Sequence, residues 1–534
     1  MSAQRAGQPG VIGAIFARFG AWLNRPMASF HLILSISALL SILGLVMVLS
    51  ASSVSEYTRS GSAYSMFIRQ LMFVTVGWIA FYLALRFPVR FIKRMAFLGV
   101  VVSTVMLALV LVPGIGVTVN GARSWFQFAG FAFQPSEMAK IALALWGAVL
   151  LGERAVRTRS SRDMLFPLVP GALVIFTLVA LQPDFSTLVV LFFILLALLW
   201  FAGLPLGYFV VGVGAILSIA VVMAFAEGYR TRRLTSFLNA DDDPLGASYQ
   251  ARQSQFALAD GGLFGTSLGQ SRAKWKFLPE AHNDFIFAII GEELGFVGAA
   301  AVIGIFGLFI YTGLRIAARS VDPFLRLFVA TSTVWVIGQT FINLGYVVGL
   351  LPVTGLQLPL ISAGGTSAVL TLFMLGIMAN AARHEPEAIA AAQVAARRSR
   401  VPLFLRLPLP EKYNPPRPAP RRPDPYAGDY GPPWESPWEP GPPAAGPYRG
   451  ARQPGPATGR GGAARAARYQ DHLHRDYLPR DYPPRDYLPT DYRHAPVVPR
   501  SGNPQGRRYP GGGRTPHGPI DPYGEPPRRR RARG

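Results

Sequence analysis

The sequence predicts an all-α polytopic membrane protein: ten transmembrane helices, both termini cytoplasmic, one long outer loop and a disordered C-terminal tail. Three observations carry this. Up to about Asn380 the chain is a succession of long apolar runs. The short connections between them are asymmetric in Lys and Arg. From Arg383 onward the composition turns Pro-, Arg-, Gly- and Tyr-rich, with almost no apolar run, so that part cannot bury a core. A mean hydropathy of +0.30 therefore averages two unlike halves. The expected organisation is a cytoplasmic segment 1–29, a membrane domain 30–382 and a tail 383–534.

A hydrocarbon core of ~30 Å needs about 20 apolar residues per helix. Ten runs qualify, at about 30–50, 66–86, 95–112, 136–152, 164–181, 185–203, 206–226, 285–313, 325–350 and 362–382. Arg5, Arg18 and Arg25 precede the first run, which is long enough to stay as a span, and no cleavable signal pattern stands before it. With the N-terminus inside, the inner loops hold Arg90, Lys93 and Arg94, then Arg154, Arg157, Arg159 and Arg162, then Arg315 and Arg319. The short outer loops hold only Arg59 and Arg123 as cations, which satisfies the positive-inside rule. The long outer loop, Glu227 to Asp284, carries seven basic and seven acidic residues and lies beyond the reach of that rule. The net charge of +23 fits membrane orientation and a basic arm better than nucleic acid. Absence of cysteine excludes disulfides, thiol catalysis and Cys-ligated metals.

This topology gathers the distinctive polar segments on one face. They are Asn120 to Trp125, Gln182-Pro183-Asp184, the end of the long loop, and Pro352 to Pro359. The densest is Leu278-Pro279-Glu280-Ala281-His282-Asn283-Asp284-Phe285, which runs straight into an apolar stretch holding Glu292 and Glu293. Ionisable groups at mid-membrane cost roughly 2.5–3.5 kcal/mol each on insertion scales. A chain that keeps four at one membrane boundary has a use for some of them.

Six motifs in order carry a family resemblance over residues 30–382: Asn120 to Trp125; Gln134-Pro135-Ser136-Glu137-Met138-Ala139-Lys140; Gln182-Pro183-Asp184; Gly261-Gly262-Leu263-Phe264-Gly265; Pro279 to Phe287 running into Gly291-Glu292-Glu293-Leu294-Gly295; and Pro359 to Ser367. Together they resemble the SEDS family of cell-wall glycosyltransferases, its division branch more than its elongation branch. Asn283, Phe185-Ser186 and Ala363 depart from the commonest pattern, and none of these removes an ionisable residue. The resemblance implies a polymerase of lipid II, acting on the outer face of the cytoplasmic membrane beside a class B penicillin-binding protein, with lipid-linked glycan as the growing chain.

Glycosyl transfer needs a base for the acceptor hydroxyl and cationic neutralisation of a departing pyrophosphate. Asp284 is the candidate base; its bland alternative is a cap on the following helix, where Asp is a preferred residue. Glu280 and His282 can orient Asp284 or bind a divalent cation. That cation is the one candidate cofactor, since hard cations bridge phosphates, although the spacing matches no strict metal motif. Arg123 and Lys140 are candidate pyrophosphate ligands. For Lys140 an intramembrane pair with Glu137 is an equal alternative. Asp184 reads first as a helix cap and second as a group that holds a cation in place. Lys274 and Lys276 are read as guides for a pyrophosphate lipid, on a loop whose Ser248–Asp260 stretch forms a short amphipathic helix stopped by Gly261-Gly262. Glu292 and Glu293 read as structural ties.

The tail repeats Arg475-Asp476-Tyr477-Leu478-Pro479 and ends in Arg528 to Arg531, a form suited to acidic partners of the division machinery or to anionic lipid. Two rival functions stand beside the enzyme. A lipid II flippase needs a polar route through the whole membrane, whereas the polar clusters here lie in the outer half. A non-catalytic scaffold has no need of the acidic motif.

Overall fold

A computed structural model describes residues 18, 20–119, 121–128, 131–157, 162, 165–214, 218, 247–275, 278, 281–398 and 407–414. The chain divides into two compact units, Met1–Gly428 and Asp429–Gly534, and all described residues lie in the first.

Its helices are α1 (Ala28–Ser60), α2 (Ser65–Arg86), α3 (Val89–Val110), α4 (Pro135–Arg157), α5 (Leu168–Ala180), α6 (Phe185–Phe201), α7 (Ala247–Asp260), α8 (Ile286–Arg319), α9 (Pro323–Val347), α10 (Gly365–Arg383) and α11 (Pro386–Arg398). Among the described residues α1, α2, α3, α8, α9 and α10 are long and apolar enough to cross a membrane, while α5 and α6 are shorter apolar helices. Of the predicted span 206–226, residues 206–214 and 218 are described and helical. Helix α1 runs ten residues past its predicted end, and α8 continues to Arg319.

The all-α expectation needs correction. Between α3 and α4 lies an antiparallel sheet of β1 (Val117–Val119), β2 (Ala122–Phe128) and β3 (Phe131–Phe133), in that order. Val117 pairs with Trp125 and Val119 with Ala122, so the chain reverses between Val119 and Ala122. Gly121 takes φ 84°, the left-handed conformation that a tight hairpin turn demands.

Helices α2 and α3 expose apolar side chains such as Ile68, Ile79, Phe97 and Val105, as lipid-facing helices do, and bury Val74, Gly77, Phe81, Ala96 and Val100. Helix α9 is the opposite case. Most of it is buried, and Trp335, Gln339, Asn343 and Tyr346 recur along one stripe facing inward. Asp322 caps its start, accepting from Phe324 N at 3.0 Å, with Pro323 in the first turn, where a missing N–H does no harm.

Helix α8 is broken at Gly295 (φ 70°, ψ −170°). A break inside lipid strands backbone groups that have no water to turn to. Here the Gly261–Ser267 loop supplies the partners. Thr266 N and Ser267 N donate to the carbonyls of Glu292 (2.9 Å) and Glu293 (3.2 Å), while Phe296 N and Val297 N donate to those of Gly262 (2.9 Å) and Leu263 (3.2 Å). Gly261 and Gly265 face this backbone directly, and a Cβ on either would collide with it. Helix α7 leads into the loop and packs over the end of α9, with Ser254 Oγ donating to Val347 O at 2.9 Å.

At the far end of α8 and α9, Lys93 pairs with Asp322 (2.7 Å) and Asn380 Nδ2 donates to the carbonyls of Ala84 and Phe87. The expected tail begins here with structure rather than disorder. Helix α11 follows α10 at once. Residues 407–414 lie along the same end, with Arg383 Nη2 donating to Pro408 O (2.6 Å) and Arg90 paired with Glu411 (3.0 Å). The repeat and the terminal arginines lie outside the described residues.

Candidate functional site

Asp284 closes a turn, Ala281–Phe285, that leads into α8, and it is half-buried. The N-cap position of α8 is Phe285, whose side chain makes no cap, and Asp284 stands one residue before it. Two loops meet at this turn. His282 O accepts from Ala363 N at 3.0 Å. Gly355, at φ 82°, passes so close that a Cβ built on it would stand 3.5 Å from Asp284 Oδ2. The Pro352–Pro359 segment therefore runs against the carboxylate.

That segment is tied from α9 and α6. Gln339 Nε2 donates to Gln357 O (2.8 Å), Asn343 and Tyr346 reach Leu356 O (2.7 Å each), and Ser186 Oγ donates to Thr354 O. The same Asn343 and Tyr346 also reach Asp284 O, at 3.0 and 2.8 Å. Trp335 Nε1 donates to Gln339 Oε1 (3.1 Å), and the Trp335 ring carries the Lys140 ammonium 5.2 Å from its centroid. A continuous line of contacts thus leads from Lys140 through Trp335, Gln339 and the 352–359 loop to Asp284.

Lys140 is fully buried and pairs with Glu137 at 2.7 Å, the i,i+3 pair that the sequence offered. Asp184 caps α6, accepting from Thr187 N (3.1 Å) and Thr187 Oγ1 (2.7 Å), and it also accepts from Gln134 Nε2 (2.9 Å). Burial pushes its carboxyl above the ordinary range, against the pull of the Thr187 hydrogen bonds and of Lys140. Gln134 leads directly into α4, so Asp184 fixes the start of α4 against that of α6.

Arg123, on β2, donates to Leu111 O (3.3 Å) at the end of α3 and to Thr118 Oγ1 (3.5 Å) across the hairpin. Lys274 is buried, donates to Gly269 O and stands 3.8 Å from Glu293 Oε1. Glu292 accepts from Ser271 Oγ (2.6 Å), Arg272 N (2.5 Å) and Ala273 N (3.4 Å); Ser50 Oγ lies 2.5 and 2.7 Å from the two oxygens of Glu293. The two glutamates therefore hold the 261–274 loop and α1 against α8, as structural ties. His282 lies beside Asp284 in the turn, half-buried. Lys276 and Glu280 lie outside the described residues. Among the described residues no group of three His, Asp or Glu side chains is placed to hold a metal ion.

Sequence reasoning passed over Trp335, Gln339, Asn343 and Tyr346. Their spacing of 4, 4 and 3 places one polar stripe along an otherwise apolar span, a signal that was present. What it lacked was charge.

A family model described as "Cell cycle protein", covering FtsW, RodA and SpoVE, matches residues 30–387. The chain is 58% identical over 400 residues to a probable peptidoglycan glycosyltransferase FtsW of Mycobacterium tuberculosis, covering 75% of this chain and 76% of the other. It is 38% identical over 355 residues to the stage V sporulation protein E of Bacillus subtilis, covering 66% and 96%. Among solved structures, a chain from a peptidoglycan synthase complex that coordinates polymerization and crosslinking aligns with TM-score 0.55 at 27% identity, covering 68% of this chain and 99% of that one. The rod shape determining protein RodA of Thermus thermophilus aligns with TM-score 0.50 at 28% identity, with the same coverage. With its apolar helices and its motifs in family order, the chain is a multi-pass membrane protein that belongs to the FtsW/RodA/SpoVE family.

Proposed function

We propose that this protein is a peptidoglycan glycosyltransferase that polymerises lipid II on the outer face of the cytoplasmic membrane during division, with Asp284 as general base. The observation that carries the reading is the setting of Asp284. It is half-buried at the mouth of α8, its backbone is clamped and the 352–359 loop lies against its carboxylate. A general base must stand within hydrogen-bond reach of the proton it takes, and the clamped turn fixes where this carboxylate stands. The acceptor hydroxyl oxygen forms the new bond to the anomeric carbon as the bond to pyrophosphate breaks. Its proton passes to Asp284, and the pyrophosphate leaves as an anion.

Cations for that anion are Arg123 and Lys140, with Lys274 and Lys276 on the approach. Lys140 and Lys274 share their charge with Glu137 and Glu293 until substrate competes for it. Asp184 supports the Lys140 side by anchoring α4 to α6. His282 and Glu280 neighbour the base in sequence; they are the residues that would hold a divalent cation, which would neutralise phosphate charge, and chelation tests this. Ten spans with both termini inside, a septal location, a class B penicillin-binding protein as partner and a tail that meets division proteins complete the proposal. The family likeness and the loop charges support these.

The test is purified protein, with and without the crosslinking partner, given lipid II in detergent and in liposomes. Glycan product that disappears in Asp284→Asn supports the proposal. Transbilayer movement of lipid II without product marks a flippase, and neither outcome marks a scaffold.

A further inference from the structure

We infer that Asn343 and Tyr346 are positioning residues: a buried hydrogen-bond hub that locks the Asp284 turn to the 352–359 loop, so that the base and the segment against it move as one body. This rests on the reading of Asp284 as the base.

The two main-chain carbonyls in question belong to residues outside regular structure. The first intrahelical acceptor of α8 is Phe285, which receives Ala288 N at 2.9 Å, so the carbonyl of Asp284 stands just outside the helix ladder. Leu356 lies in irregular chain. Both carbonyls are met by the same two side chains. Asn343 Nδ2 stands 3.0 Å from Asp284 O and 2.7 Å from Leu356 O; Tyr346 Oη stands 2.8 and 2.7 Å from the same atoms; the amide and the hydroxyl are 2.6 Å apart. An amide supplies two protons and a phenol one. Three protons are shared among two carbonyls and one hydroxyl oxygen, with both side chains fully buried.

The geometry has a direction. Only the NH2 end of Asn343 can face two carbonyls, since its oxygen would meet acceptors. The Tyr346 ring is separately held, edge-on to Phe285 with centroids 5.6 Å apart, so its hydroxyl is aimed by packing. Because α9 supplies both residues from a single face, and Gln339 on the same stripe holds Gln357 O, one rigid helix sets where both loops stand. The Asp284 carboxylate springs from the very residue whose carbonyl is clamped. Misplacement of a reacting group by about 1 Å can lower a rate about 100-fold.

The test uses the full-length protein with lipid II as substrate. Tyr346→Phe keeps the ring and removes one proton from the hub. We expect kcat to fall about tenfold with KM within about twofold, because the hub touches no substrate. Asn343→Leu, similar in size with no donor, should fall further. Hydrogen exchange measured in the Asp284→Asn background, where no turnover intervenes, should quicken in segments 281–286 and 353–358 together while α2 and α10 stay protected. Unchanged rate and exchange in Tyr346→Phe would overturn the inference, as would a loss of protection spread evenly over the helices, which marks plain destabilisation. If Asp284→Asn polymerises normally, the base assignment falls, and the paired exchange result alone decides whether the hub exists.

Discussion

Asp284 and the Glu292–Glu293 pair stand close together at the start of α8, and they are built in opposite ways. The glutamates, about two turns into the helix, are almost wholly buried and surrounded by donors from the 261–274 loop and from Ser50. Asp284 sits before the helix, half-buried, fixed through its backbone carbonyl by Asn343 and Tyr346. A carboxylate whose lone pairs are filled by main-chain N–H groups is a fastener; taking a proton would break its bonds. Asp284 is held instead through its main chain, where Asn343 and Tyr346 meet its carbonyl. The contrast sets two acids held by their side chains against one held by its main chain, the proposed base, among acids that look alike in sequence.

The sharpest way to break the contrast is to neutralise each acid in turn. Asp284→Asn should lower the initial rate of lipid II polymerisation at least about 100-fold, within the range that general bases contribute. Its detergent melting temperature should stay near that of the parent protein. Glu292→Ala should do the reverse in kind. Ser271 Oγ and the N–H groups of Arg272 and Ala273 would lose their acceptor inside the protein, and each buried donor left unsatisfied costs about 1–3 kcal/mol. A fall in melting temperature, with residual turnover in whatever protein remains folded, is the expected result. A fully stable Glu292→Ala with no activity would transfer the chemistry to the glutamates.

The same contrast explains what the sequence made legible. Asp284 was visible because an ionisable side chain beside an apolar run is energetically conspicuous at any fold. The i,i+3 spacing of Glu137 and Lys140 needed only a helix to become a pair. The donors to Glu292 lie about twenty residues earlier in the chain, and no local pattern pairs a loop with a helix break. Asn343 and Tyr346 are uncharged and act on main-chain carbonyls, which leave no mark in composition. The hairpin between β1 and β2 was readable, since an Asn-Gly dipeptide in the sequence between β-branched and aromatic residues favours a tight turn. The apolar runs on either side drew attention to helices instead.

Lys140 offers a smaller and more discriminating test. Lys140→Met leaves Glu137 buried without its partner, so a loss of activity could report either the pair or the pyrophosphate. The double change Glu137→Gln with Lys140→Met separates them. If pairing is the whole role, stability and activity return together, with a coupling of about 1–3 kcal/mol read from thermal melts. If Lys140 meets the leaving group, stability returns and turnover does not. The Trp335 ring beneath the ammonium makes the second outcome the expected one, because it supports the cation when Glu137 gives way to an anionic substrate.

The smallest expected effect lies at Gly355, and it is the most local probe of the proposed base, Asp284. The residue holds φ 82°, where an L side chain is disfavoured by roughly 1–2 kcal/mol. A Cβ there would meet Asp284 Oδ2 at 3.5 Å, an ordinary contact, so space is not the obstacle. Gly355→Ala therefore strains the loop without filling the site. If the 352–359 segment takes part in substrate binding, the strain appears as a rise in KM of up to about tenfold, with kcat little changed, since 1.4 kcal/mol corresponds to a factor of ten. If the loop serves only to orient the carboxylate, kcat falls instead and KM holds. Steady-state rates over a range of lipid II concentrations distinguish the two. Unchanged values of both would mean that the loop absorbs the strain away from Asp284, against the close approach of Gly355 to its carboxylate.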